Sequence, residues 1–72
     1  MTVIGGRIDH GHHSNRAIIA LDDFVSFDDA IGKGLNLTTD SDTMIVATAD
    51  HSHTFTIGGD SRRGNPVLGD YV

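Results

Sequence analysis

The chain has 72 residues, a formal net charge of −5, and neither cysteine nor tryptophan. A chain of this length forms one domain at most, and without disulfides its stability must come from a bound metal or a partner, if it folds stably at all. The five basic residues, set against ten aspartates, argue against nucleic acid as a partner, and no apolar run approaches the length that spans a bilayer.

The first predicted element is a short strand over about residues 2–8, where Val3, Ile4 and Ile8 are apolar. It is interrupted by two glycines, which suit a place where the backbone approaches another group closely. The segment that follows, 9–13, is polar and contains three histidines, and it predicts a loop.

The second predicted element is an amphipathic helix over about residues 15–32. Ser14 and Asn15 are good N-cap residues, and Gly32 or Gly34 would end the helix. Apolar residues recur between these signals at spacings of three and four, as on the buried face of a helix. They are Ala17, Ile18, Leu21, Phe24, Val25 and Ile31, and Phe24 and Phe27 are expected in the core.

A second strand is predicted over about residues 43–49, where a continuous apolar run indicates a strand covered on both faces. Residues 58–72 are polar and glycine-rich and predict irregular structure. Strand, helix and strand together predict an α/β fold with one βαβ piece and two parallel strands. The polar segment 9–13 follows the first predicted strand and a second one, 50–53, follows the second. Both polar clusters would then lie at the carboxyl ends of the strands, where such sheets bind ligands.

Aspartate and histidine in these two clusters are the ligand types of a zinc ion that keeps open positions. Asp9 and His13 are four residues apart, so a helical turn or a loop could point both at one ion. Asp50 and His51 are adjacent, and they could share an ion only if the strand ends there and the backbone bends. Two neighbouring sites would suit the two-metal arrangement of phosphoryl transfer. A flexible histidine-rich tract that binds metals nonspecifically is the competing interpretation.

The two histidine motifs identify a family resemblance. Residues 5–13 (GGRIDHGHH), residues 48–56 (TADHSHTFT) and residues 62–66 (RRGNP) resemble, with their spacing intact, a stretch of alkaline phosphatase of the animal type. The expected identity is therefore an internal fragment, or a truncated gene product, that contains one βαβ piece of that enzyme's fold.

The resemblance implies roles for particular residues. Asp9 and His13 would bind the first zinc, and Asp50 and His51 would bind the second. His53 would orient Asp9 through a hydrogen bond.

Two further histidines complete the assignment by resemblance. His10 would lie near the phosphate without binding metal, and His12 receives no role. The full enzyme would hydrolyse phosphate monoesters through a phosphoserine, using zinc and magnesium. The family is usually homodimeric, and it is commonly secreted or lipid-anchored at the cell surface.

The sequence also departs from the family. Ile4 occupies the position of a glutamate that binds magnesium in the family, so we expect the magnesium site to be lost. The serine nucleophile, the arginine that binds phosphate and a third ligand of the first zinc have no counterpart here. We therefore expect the chain alone to be inactive and to self-associate. The alternatives are a non-catalytic zinc-binding module and a non-functional truncated gene product.

Overall fold

The computed structural model describes residues 1–68 and contains two α-helices. Helix α1 comprises Arg7–His13, and helix α2 comprises Ala17–Leu37. The three residues between them reverse the chain, and α1 packs against the first turns of α2. Outside the helices, the described part of the chain follows turns and irregular backbone.

The turn between the helices depends on Asn15. Its backbone adopts φ 55°, the left-handed region that asparagine tolerates better than most residues. The Ser14 hydroxyl donates a hydrogen bond of 2.8 Å to the His10 carbonyl, which satisfies an acceptor at the end of α1. This turn brings α1 back onto α2 and so fixes where the residues of α1 point.

A helix lies where the apolar spacing predicts one, but its ends differ from the prediction. Residue Arg16, rather than Ser14 or Asn15, occupies the N-cap position, and no side chain caps α2. The helix continues through Gly32 and Gly34 to Leu37. At its end, the Thr38 hydroxyl donates to the Gly34 carbonyl at 2.8 Å.

The predicted βαβ fold is wrong, because neither strand is present in residues 1–68. Residues 7 and 8 of the first predicted strand belong to α1, and residues 9–13, predicted as a loop, complete that helix. Residues 43–49 form no strand, and no backbone hydrogen bond joins residues 2–8 to residues 43–49 within the described chain. The physical reason is that two short parallel strands lack the neighbouring strands and the cover on both faces that a parallel sheet requires.

Burial is correspondingly slight. Ala20, exposed by 1%, is the buried hydrophobic residue of the described chain. Phe24, expected in the core, is 55% exposed, and in the apolar run after α2 Met44 is 86% and Val46 74% exposed. Phe27 is half-buried. The apolar face of α2 is therefore largely uncovered.

The contact between the helices is close at Gly11, which is buried. A Cβ atom at this position would lie 2.7 Å from the backbone nitrogen of Ala20 and 2.9 Å from its Cα. Real Cβ atoms do not approach backbone that closely, so α1 can pack at this distance only because residue 11 has no side chain.

The segment after α2 begins with a turn organised around Asp42. The Thr39 and Thr43 hydroxyls donate hydrogen bonds to its carboxylate at 2.8 Å and 2.9 Å. These bonds favour the charged form and hold the pKa of Asp42 below its usual value. Residues 58–68 contain neither helix nor strand, and residues 69–72 of the segment predicted to be irregular lie outside the described residues.

None of the described helices combines the length and the apolar character needed to cross a membrane.

Candidate metal centre

Helix α1 places Asp9 and His13 on one face. They are four residues apart, and side chains at that spacing lie above one another along a helix. The His13 Nε2 atom lies 3.4 Å from Asp9 Oδ2. The polar segment therefore brings these two predicted ligands together by forming a helix rather than a loop.

The second histidine motif lies against the same carboxylate. The backbone bends at Asp50, and His51 Nε2 lies 3.5 Å from Asp50 Oδ2 and 3.8 Å from Asp9 Oδ1. His53 Nε2 also lies 3.8 Å from Asp9 Oδ1, a distance longer than a hydrogen bond. Asp9 is thus the centre of a cluster that includes His13, Asp50, His51 and His53, which we call the Asp9 cluster.

The two motifs meet by a route different from the predicted one. They were expected to meet at the carboxyl ends of paired strands, whereas α1 and an irregular segment bring them together. The side chains of Asp50 and His51 can approach each other because the backbone bends at Asp50. Such a bend is the condition under which the sequence predicts that the two residues could share an ion. His10 is exposed and lies outside the cluster.

The cluster is open to solvent on one side. The side chains of Asp50 and His13 are 89% and 70% exposed, whereas those of Asp9 and His53 are 35% and 17% exposed. Asp9 and His53 therefore form the covered floor, and the other residues form the accessible rim.

Backbone groups assign opposite tautomers to the two histidines of the second motif. His51 Nδ1 lies 2.7 Å from the Ser52 carbonyl, which only accepts, so Nδ1 must carry a proton. The neutral ring then presents Nε2 as a free acceptor. His53 Nδ1 accepts the Thr54 backbone N–H at 2.9 Å, so the neutral ring carries its proton on Nε2.

The same contacts affect the charge of His51. Its hydrogen bond to the Ser52 carbonyl, followed by attraction to the Asp50 and Asp9 carboxylates, raises its pKa above the ordinary value of 6.5. A metal ion at His51 Nε2 would have to compete with a proton for that nitrogen.

The donor set fits zinc in its chemistry. Asp9, His13 and His53 each offer a ligand atom, and these atoms lie within 4.8 Å of one another. The protein ligands of a tetrahedral zinc ion lie about 3.3 Å apart, so these atoms would have to move closer together to share one ion. His53 is the weakest member, because a neutral ring that accepts at Nδ1 has no free nitrogen for a metal. His51, whose Nε2 is free, offers the better second imidazole.

His12 is the residue near the cluster for which the sequence predicts no role. Its ring stacks on that of His53, with centroids 4.9 Å apart and planes inclined by 19°. Phe55 contacts the His12 ring edge-on at 5.4 Å. One signal was available, because His53 and Phe55 are two residues apart and share a side in extended backbone.

Comparison with known proteins links this arrangement to a family. The family model described as alkaline phosphatase matches residues 1–72. Tissue-nonspecific alkaline phosphatases of rat and human are 54% identical to the chain over 69 residues, and an alkaline phosphatase of Atlantic cod (Gadus morhua) is 49% identical. These alignments cover 96% of the chain but only 13–14% of the relatives. No solved structure matches the chain significantly.

Proposed function

The chain belongs to the alkaline phosphatase family, and from that premise we propose that its 72 residues form a zinc-holding part of a phosphate monoester hydrolase. The observation that supports this proposal best is the Asp9 cluster, in which the imidazoles of His13, His51 and His53 lie within 3.8 Å of the Asp9 carboxylate. The Asp50 carboxylate lies beside His51. The chain spans 13% of the length of its rat and human relatives. The phosphatase activity of a complete enzyme is therefore a proposal for this chain.

In this proposal Asp9 and His13 hold one zinc ion, and Asp50 and His51 hold a second. The free Nε2 of His51 suits a ligand, since metal-binding histidines usually donate their other N–H to a carbonyl or carboxylate. His53 carries its proton on Nε2, 3.8 Å from Asp9 Oδ1, and would orient the carboxylate as a donor once the two atoms approach to hydrogen-bond distance. Zinc, when bound, would polarise the phosphate and lower the pKa of a bound water or hydroxyl.

The chain's own residues would supply position and charge. Asp9, held on α1 between His13 and His53, would keep a fixed negative charge at the floor of the site. The exposed rim leaves room for a phosphate monoester to approach, and His10 would lie near it. Ile4 offers no oxygen ligand, so we propose that magnesium does not bind at that position.

We further propose that these 72 residues alone do not turn over phosphate monoesters. Hydrolysis through a phosphoserine needs a nucleophile and a phosphate-binding arginine held within fractions of an ångström of the metals. Neither has a counterpart in the matched motifs.

A non-catalytic zinc-binding module is the second candidate. One observation favours it: ligand atoms of Asp9, His13 and His53, all within one short stretch of this chain, lie within 4.8 Å of one another. Turnover distinguishes the candidates, since a module binds zinc and hydrolyses nothing even when the remaining parts of an alkaline phosphatase are supplied.

The test is native mass spectrometry of the chain with zinc and magnesium supplied, paired with an assay on 4-nitrophenyl phosphate. We expect one or two bound zinc ions, no bound magnesium and no turnover by the chain alone. Replacing Asp9 and Asp50 together by alanine should abolish zinc binding. The matched control replaces Asp22 and Asp29, two exposed aspartates of α2, and should leave the zinc count unchanged. Zinc retained by the Asp9 and Asp50 variant would refute the assignment of the site.

A further inference from the structure

His12 takes no part in the proposed zinc coordination, yet it is held in place from two sides. It lies in α1 directly before His13, is half-buried, and contacts His53 by stacking and Phe55 by its edge. Its side chain makes no hydrogen bond or ion pair to Asp9 or Asp50 in the described chain. The contacts of His12 are therefore those of a ring that packs, and not those of a ligand.

The ring that it packs against is the least exposed imidazole facing Asp9. Thr54 donates to one edge of His53, and His13 approaches it at 4.7 Å with the ring planes at 87°. His12 stacks on a face of the His53 ring, with the two planes inclined by 19°. Together the three contacts fix the plane of the His53 ring and the direction of its Nε2.

We propose that His12 is a positioning residue, whose ring holds the His53 imidazole in the plane that presents Nε2–H to Asp9. The proposal rests on the proposed function in one respect: the consequence of good positioning is tight zinc binding at Asp9. When one oxygen of a carboxylate accepts a hydrogen bond from a fixed N–H donor, the other oxygen is held in one direction and can bind a metal ion. Loss of such an orienting contact typically weakens metal binding tenfold or more.

Two substitutions separate packing by a flat ring from every other property of His12. His12→Phe keeps an aromatic face and removes both nitrogens. His12→Leu keeps apolar bulk on α1 and removes the flat face. The helical circular dichroism signal should be the same for both variants, which allows the comparison to be made on folded chains.

The measurements are the zinc dissociation constant by calorimetry and the ¹⁵N chemical shifts of His53 in the zinc-free chain. For His12→Leu we expect zinc binding weaker by about three- to tenfold, the range that a lost aromatic pair supports. The His53 shifts should move from a single tautomer, protonated on Nε2, towards a mixture. His12→Phe should bind zinc within about twofold of the parent and keep the single tautomer.

Two results would overturn the proposal. His12→Leu with unchanged zinc affinity and unchanged His53 shifts would mean that stacking positions nothing. His12→Phe as weak as His12→Leu would mean that a nitrogen of His12 acts directly. Failure of the parent chain to bind zinc would refute the proposed function, while the zinc-free ¹⁵N shifts would still decide whether His12 controls the His53 ring.

Discussion

Replacing Gly11 by alanine tests how closely α1 must approach α2. The new methyl group would meet the backbone of Ala20 at 2.7 Å and the Ile19 side chain at 3.1 Å. Backbone atoms of a helix cannot rotate away, so the helices must separate by about 0.7 Å to reach ordinary contact at 3.4 Å. Overpacking of this kind costs about 1–3 kcal/mol, and the better helix propensity of alanine returns about 0.5–1 kcal/mol. The midpoints of these two ranges leave a net loss of about 1 kcal/mol.

The effect should extend to the metal centre, because Asp9 and His13 lie on α1 while His51 and His53 do not. Functional sites tolerate displacements of only about 0.5 Å, so we expect Gly11→Ala to weaken zinc binding at least about tenfold. Urea unfolding followed by helical circular dichroism, together with zinc calorimetry, measures both effects.

Gly32→Ala provides the matched control. It makes the same change inside α2, where a new Cβ meets no atom within 4 Å, and it should stabilise the chain by about 0.5–1 kcal/mol without changing zinc affinity. If Gly11→Ala were as stable as Gly32→Ala and bound zinc like the parent, the close helix contact would not exist in solution.

Two further predictions concern charge and exposed surface. Histidine NMR titration of the zinc-free chain should give His51 a pKa above 6.5, which Asp50→Asn should lower without removing the shift, because the Ser52 carbonyl is the larger cause. Because the pKa of His51 is higher in the folded chain than in the unfolded chain, the contacts of protonated His51 stabilise the fold fully at a pH below the unfolded pKa. This stabilisation is lost as the pH rises through the folded pKa. A His51 pKa at its ordinary value would contradict the geometry. The chain should also self-associate through its exposed apolar run, so sedimentation of the parent should depend on concentration, and replacing Met44 and Val46 by lysine should reduce that dependence. A parent that stays monomeric at its highest soluble concentration would contradict this prediction.

The sequence indicated that Asp9 and His13 could point at one ion, but it predicted the wrong fold, and the reason for the difference is physical. Asp9 and His13 meet through a four-residue helical spacing, which is a local property that the sequence carries by itself. Strands 2–8 and 43–49 depend on neighbours that a local pattern does not contain, since a parallel strand forms only between partners and under cover. An apolar run such as residues 44–47 indicates that a segment is suited to burial, but not that something is present to bury it.

The same distinction explains what the pattern missed at Gly11 and His12. Gly11 lies between two histidines, and its role is visible only when α2 packs against it. The backbone that it contacts, at Ala20, is nine residues away in sequence. His12 acquires a partner only when the segment containing His53 crosses α1. Both are consequences of tertiary contact, and neither residue type alone predicts it.

Because so little of the described chain is buried, a zinc ion bound at the Asp9 cluster would stabilise the fold as well as supply chemistry. With Ala20 as the buried hydrophobic residue of the described chain, the contact between α1 and the segment 50–53 depends on polar and ring contacts around Asp9. A ligand that binds only the folded chain stabilises it by about 2.7 kcal/mol at one hundred times its dissociation constant. This stabilisation is similar to that from burying one leucine side chain, which contributes roughly 1.5–3 kcal/mol. Zinc at the Asp9 cluster would therefore contribute about as much as one buried leucine, at the point where the two histidine motifs meet. Without zinc, segment 50–53 should separate from α1 before α2 unfolds, because α2 is maintained by its own backbone hydrogen bonds.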